Sequence, residues 1–96
     1  MIEVRQTEEF SAWLRSLPDA EAVARIVARI RRLEQGNRGD VRSVGGGVME
    51  MRVDYGPGYR VYYLHRGAQI VIFLCGGDKR RQRQDINRAQ TLAETF

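Results

Sequence analysis

The chain has 96 residues, 43% of them apolar, and its longest apolar run, Ile70 to Cys75, is six residues long. That is enough for one core, 1–96 as a single domain, and too short a run for a transmembrane helix or a secretory leader, so a cytoplasmic protein is expected. The formal net charge is +4, and its distribution is uneven: Met1 to Asp40 balances seven cationic against seven anionic side chains, whereas the remainder carries nine against five. An anionic partner is therefore expected on the second half.

Met1-Ile2-Glu3-Val4 reads as the start of a strand. Thr7 can cap a helix with Glu8 and Glu9 in its first turn, and Phe10, Trp13, Leu14 and Leu17 follow at helical spacing. Pro18 ends that helix. Asp19 can cap a second, longer one striped by Val23, Ile26, Val27, Ile30 and Leu33 and stopped at Gly36, and the two form a helical hairpin. Arg25, Arg29 and Arg32 share its opposite face, with Glu21 four residues before Arg25, and such a row reads first as a solvated surface.

Beyond Asp40 the apolar period changes from 3.6 to 2. Val41–Val44 is a short strand. Val48–Asp54 alternates Met49, Met51 and Val53 with Glu50, Arg52 and Asp54. Gly56-Pro57-Gly58 suits a type II turn with Pro at its second position. Tyr59–His65 and Gln69–Cys75 complete the strands, Gly76 to Arg81 reads as a turn, and a final helix starts its apolar stripe late, at Ile86, Ala89, Leu92, Ala93 and Phe96. The expected class is α+β: an N-terminal strand, a helical hairpin, a four-stranded antiparallel meander and a C-terminal helix, in the order β-α-α-β-β-β-β-α. The hairpin should pack on one sheet face and leave the other largely open to a ligand.

Glycine motifs do not spell a nucleotide site, since neither Gly45-Gly46-Gly47 nor Gly76-Gly77-Asp78-Lys79 has the spacing and hydroxyl of a phosphate loop. One His and one Cys cannot make a zinc site, so no metal and no cofactor are expected; Cys75 reads as buried and inert. Ser43 and His65 lack a nucleophile elbow. His65 itself reads as structural or as a general acid or base. In Tyr59-Arg60-Val61-Tyr62-Tyr63-Leu64-His65, alternation sends Tyr59, Val61, Tyr63 and His65 to the hairpin and Arg60, Tyr62 and Leu64 to the other face. An arginine beside a tyrosine can hold a phosphate while the ring stacks on a base, or can be a solvated arginine beside a packed ring. Lys79, one lysine among fifteen arginines, ends the most apolar strand, and Arg80, Arg81 and Arg83 follow it as RNA-binding candidates or a solvated helix start.

The block Tyr59-Arg60-Val61-Tyr62-Tyr63, an apolar strand and then Gly76-Gly77-Asp78-Lys79 resembles the RelE/ParE toxin superfamily, and more closely its HigB-like branch of addiction-module killer proteins. The resemblance covers nearly the whole chain. It implies the toxin of a type II toxin–antitoxin pair, with a cognate antitoxin, often a helix-turn-helix protein encoded nearby, and with mRNA and the ribosome as targets. The implied activity is metal-independent: the ribose 2′-hydroxyl attacks its own phosphate. Gyrase inhibition by protein binding, as in ParE types, and a non-catalytic RNA-binding module are the alternatives. The resemblance assigns Arg60 to transition-state charge, Arg52 to a phosphate contact and Lys79 to the phosphate or leaving oxygen. Glu50 stands where RelE has a further lysine, and is expected either as a base or as a partner of Arg52.

Overall fold

A computed structural model of the chain describes residues 2–96, so Met1, part of the expected first strand, lies outside the described residues. The elements are β1 (Glu3–Gln6), α1 (Glu8–Ser16), α2 (Ala20–Glu34), β2 (Val41–Ser43), β3 (Val48–Val53), β4 (Tyr59–Arg66), β5 (Ile70–Asp78), a 3-10 turn (Lys79–Arg81) and α3 (Gln82–Ala93). The five strands lie in the order β1-β5-β4-β3-β2. β2 to β5 form the antiparallel meander, and β1 joins its β5 edge in parallel.

Both predicted helix caps are present. Thr7 Oγ1 accepts from the Phe10 amide at 3.0 Å and donates to the Leu74 carbonyl at 2.6 Å, so one side chain starts α1 and pins it to β5. Asp19 accepts from the Glu21 and Ala22 amides and, through its other oxygen, from the Tyr55 hydroxyl. Phe10, Ala22, Ile26 and Leu33 then close the hairpin over Met51, Val53, Tyr59, Val61, Tyr63, Val71 and Phe73, the sheet face that alternation assigns to it. The arginine row on α2 is solvated only in part. Arg25 pairs with Glu21 at 3.0 Å as the spacing predicts, but Arg29 turns inward and donates to the backbone carbonyls of Arg52 and Asp40.

Four expectations are corrected by the structure. The second sheet face is not open: α3 lies across it, and Val48, Tyr62, Leu64, Ile72, Leu74, Cys75 and Ala89 make a second core with Ile86, Leu92 and Ala93 packed against it. Burying that much apolar surface outweighs the polar character of the first turns of α3. Phe96, expected on the stripe, is 41% exposed.

β5 also continues through the predicted turn. Gly76, Gly77 and Asp78 pair with Val61, Arg60 and Tyr59 after a bulge at Leu74. Neither glycine has a positive φ, so both are there for close approach rather than for a turn. A Cβ on Gly76 would collide with the Trp13 ring of α1, and one on Gly77 with the Asp85 carboxylate of α3. Helices pressed on both faces at this point require a strand without side chains.

The β3–β4 turn closes one residue earlier than expected. The Gly58 amide donates to the Tyr55 carbonyl at 3.1 Å, which puts Gly56, φ 58°, at the second position and Pro57 at the third. A positive φ there matches the strand twist of a hairpin.

Candidate functional site

Register sets the site. Glu50, Arg52 and, just past the strand, Asp54 share the α3 side of β3; Arg52 is paired with Arg60 on β4, and Arg60 with Gly77 on β5. Lys79 is the first residue beyond β5, held in a 3-10 turn that Asp78 caps by accepting from the Arg80 amide at 2.9 Å. The start of β4, the end of β3 and the end of β5 therefore meet at one end of the sheet. There Asp40, Arg52, Asp54, Gly58, Arg60 and Lys79 line a cleft of about 240 Å³. Gly58 keeps it open, since a Cβ at that position would lie 3.5 Å from Arg60 Nη1 and 3.6 Å from Lys79 Cβ.

The cleft holds three cations against two carboxylates, and two of the cations are without ion pairs among the described residues. Arg60 is only 9% exposed; its Nη1 donates to the Tyr59 carbonyl at 3.1 Å, and its buried Nε has no partner. Among the described residues neither Arg60 nor Lys79 forms an ion pair. A buried guanidinium with an unused donor is costly, and an anion relieves that cost. Arg52 is engaged instead: its Nη2 and Nε donate to Asp40 Oδ1 at 2.6 and 3.2 Å. Asp40 is held in turn by Arg29 from below. Asp54 is exposed and unpaired among the described residues.

Arg60, Lys79 and Arg52, named from the sequence, thus line one cavity, while the other named residues are placed elsewhere. Glu50 is fully buried one rung further along the sheet, under α3, and it pairs with Arg42 rather than Arg52. It accepts from Arg42 Nε at 2.8 Å, Gln82 Nε2 at 2.9 Å and the Tyr62 hydroxyl at 3.0 Å. Burial alone pushes the Glu50 carboxyl up, but these three donors together outweigh it and hold the group below its ordinary value. A sequestered carboxylate with both oxygens engaged is a structural anchor and not an accessible base. Tyr62 is its partner, fully buried, with burial and the Glu50 charge raising its phenol; its ring has no face to offer a base.

The arginines after Lys79 diverge. Arg80 binds back onto Asp78 at 2.9 Å and holds that carboxyl below its ordinary value. Arg81 lines a separate hollow with Trp13, Tyr59 and Asp85, and Arg83 one with Arg42 and Asn87. His65 stacks edge-on against Tyr63, with ring centroids 5.7 Å apart. It stands five residues from Arg60 along β4, about 17 Å at strand rise, and so outside the cleft. Cys75 is 4% exposed, and burial pushes its thiol up to about 12.

Sequence reasoning missed Asp40 and Gly58 as cleft residues and gave Asp54 no role. Asp54 was findable, because it stands two residues beyond Arg52 on the same alternating face. Asp40 and Gly58 carried no such signal, being loop residues brought in by the β2–β3 and β3–β4 pairings.

Residues 12–94 match the family described as phage derived protein Gp49-like (DUF891). The chain is also 47% identical over 93 residues, 97% of its own length and 94% of the relative's, to an uncharacterized protein of Haemophilus influenzae strain Rd. No helix among the described residues is long and apolar enough to cross a membrane. With five strands, two helices on one face and a third helix bracing the other behind a cationic cleft, the chain belongs to the Gp49-like family of phage-derived proteins, a RelE/HigB-like toxin family of toxin–antitoxin systems.

Proposed function

We propose that this protein is the toxin of a type II toxin–antitoxin pair and cuts mRNA on the ribosome. The observation that carries the reading is the meeting of Arg60 and Lys79, both without ion pairs among the described residues, in one cleft with Arg52. Three cations converging on a cavity of this size suit a phosphodiester and its developing charge.

In this reading the ribose 2′-oxygen attacks the adjacent phosphorus, the bond from phosphorus to the 5′-oxygen breaks, and the products are a 2′,3′-cyclic phosphate and a 5′-hydroxyl. Arg60, through the terminal nitrogens of its guanidinium at the cleft wall, takes the non-bridging oxygens as charge builds on them. Arg52 contributes a second contact. Lys79 gives a proton to the departing 5′-oxygen. The 2′-hydroxyl proton goes to Asp54, the cleft carboxylate with no ion-pair partner among the described residues, since Glu50 is sealed under α3. Positioning and charge do most of the work, which asks little of any one group. An antitoxin would then act by covering the cleft or distorting its rim.

The test is induction of the wild type, Arg60→Ala and Lys79→Ala in cells, with mRNA ends mapped and a DNA-damage reporter read in parallel. Growth arrest with codon-positioned cuts, lost in both variants while each purified protein stays folded, supports the reading. Arrest by both folded variants sinks it. Double-strand breaks without mRNA cuts would instead assign the protein to gyrase.

A further inference from the structure

A second cavity, about 340 Å³ and so larger than the Arg60 cleft, lies between α2 and the end of β3. Arg25, Arg29 and Arg32 line it from the helix, and Asp40 and Asp54 line it from the other side. Those two carboxylates also line the Arg60 cleft, so the two cavities adjoin along them. Together the pair holds six cationic and two anionic side chains, a surplus of four that equals the formal +4 of the entire chain. The other titrating side chains, ten cationic and ten anionic, balance. The linings of these two neighbouring cavities therefore carry a surplus as large as that of the whole chain, and such a concentration of cations raises the local concentration of a polyanion.

The three arginines have different duties. Arg29 is the floor: its two terminal nitrogens are spent on the Arg52 and Asp40 carbonyls, and a Cβ on Gly39 would press to 2.9 Å from its Nη2. Arg25 is steered by Glu21 and lies 4.5 Å from the centroid of the Tyr55 ring, while half of its side chain stays exposed. Arg32 is exposed and forms no ion pair among the described residues. Arg25 and Arg32 are seven residues apart on one helix face, about 10.5 Å along the axis. At roughly 3.4 Å per charge along a stacked strand, that length spans about three nucleotides. Only Ala28 and Val53 add apolar surface to the lining, which leaves little to anchor a peptide side chain and favours a backbone of phosphates.

We propose that this second cavity binds the sugar–phosphate backbone of single-stranded RNA flanking the bond that is cut, so that the substrate lies along a continuous groove from α2 to Lys79. The inference rests on the RNA-cleaving reading above and adds to it a substrate several nucleotides long, recognised beyond the scissile phosphate.

The experiment measures binding of fluorescent, fully 2′-O-methylated RNAs of three and ten nucleotides to the full-length chain over a range of KCl concentrations. The ten-mer should bind more tightly than the three-mer and with a steeper salt dependence. In the Arg25→Gln, Arg32→Gln double variant the length advantage should vanish and the log–log slope should fall by about 1.4, near 0.7 for each lost phosphate of a single strand. Its thermal unfolding midpoint should stay at the wild-type value. A double variant that keeps the wild-type length advantage and salt slope overturns the inference. Failure of the underlying reading is distinguishable, because it shows in the Arg60→Ala and Lys79→Ala growth assays whatever the length dependence.

Discussion

Glu50 and Arg52 stand two residues apart on one face of β3, each opposite a β4 partner, Tyr62 and Arg60, yet they have opposite surroundings. The first rung is sealed. Gln82, at the start of α3, comes down onto Glu50, Arg42 closes from β2, and every polar group finds a partner. At the second rung α3 covers only the β5 side, where Asp85 sits on Gly77, and there Arg60 keeps a buried, unpartnered Nε beside an unpaired Lys79. One rung spends its polar groups on holding the helix to the sheet; the next leaves two cations without ion pairs among the described residues. How far α3 covers each rung thus decides which charged side chains of this sheet face are sealed, whatever the strand itself carries.

The contrast can be broken from either side. Arg60→Ala should have the largest effect, lowering the cleavage rate about 10²–10³-fold with little change in unfolding free energy, as expected for loss of a preorganised donor to a developing oxyanion. Single-turnover cleavage on programmed ribosomes and urea unfolding together check it. Glu50→Ala should do the reverse and destabilise by on the order of 3 kcal/mol, from an orphaned phenol plus a cavity, as read by urea unfolding.

The Glu50 carboxyl also gives the sealed rung a pH signature. Its folded pKa is depressed, so its stabilisation is fully present above its ordinary value of 4.5 and is lost as pH falls through the lower folded value. Wild-type stability should therefore drop more steeply on acidification below about 4 than that of Glu50→Gln, in matched unfolding series. Gly77→Ala should cost about 1–3 kcal/mol, because its methyl must displace the Asp85 carboxylate where β5 and α3 touch. A stability equal to wild type would show that α3 shifts freely there.

The smallest effect tests the open rung. Asp40→Asn should free Arg52 and tighten binding of the non-cleavable trinucleotide a few-fold, in keeping with the ~0–1 kcal/mol of an exposed ion pair. Weaker binding in that variant would mean that Asp40 aims Arg52 rather than competing for it.

Much of the frame was legible from sequence because it rests on near neighbours. The caps at Thr7 and Asp19, the stripe of the hairpin and the alternation along Tyr59–His65 each depend on residues within a turn or two, and each is found where spacing predicts. The convergence of Arg52, Arg60 and Lys79 followed from the same alternation together with the family pattern. The strand through Gly76–Asp78 did not, since two glycines before a charge cluster read as a turn. Only the positions of Trp13 and Asp85, 63 and eight residues away in the chain, reveal that they are spacing devices.

Sequence by itself determined the order of elements, the faces of β4 and the cationic bias of the second half. The tertiary structure alone decided that α3 closes the second face, that Glu50 and Tyr62 belong to the core, and that the arginines after Lys79 point three ways. The physical reason is range: period and capping are local energies, whereas burial of a charge is decided by partners such as Gln82, 32 residues along the chain, that meet it only once the helix has docked.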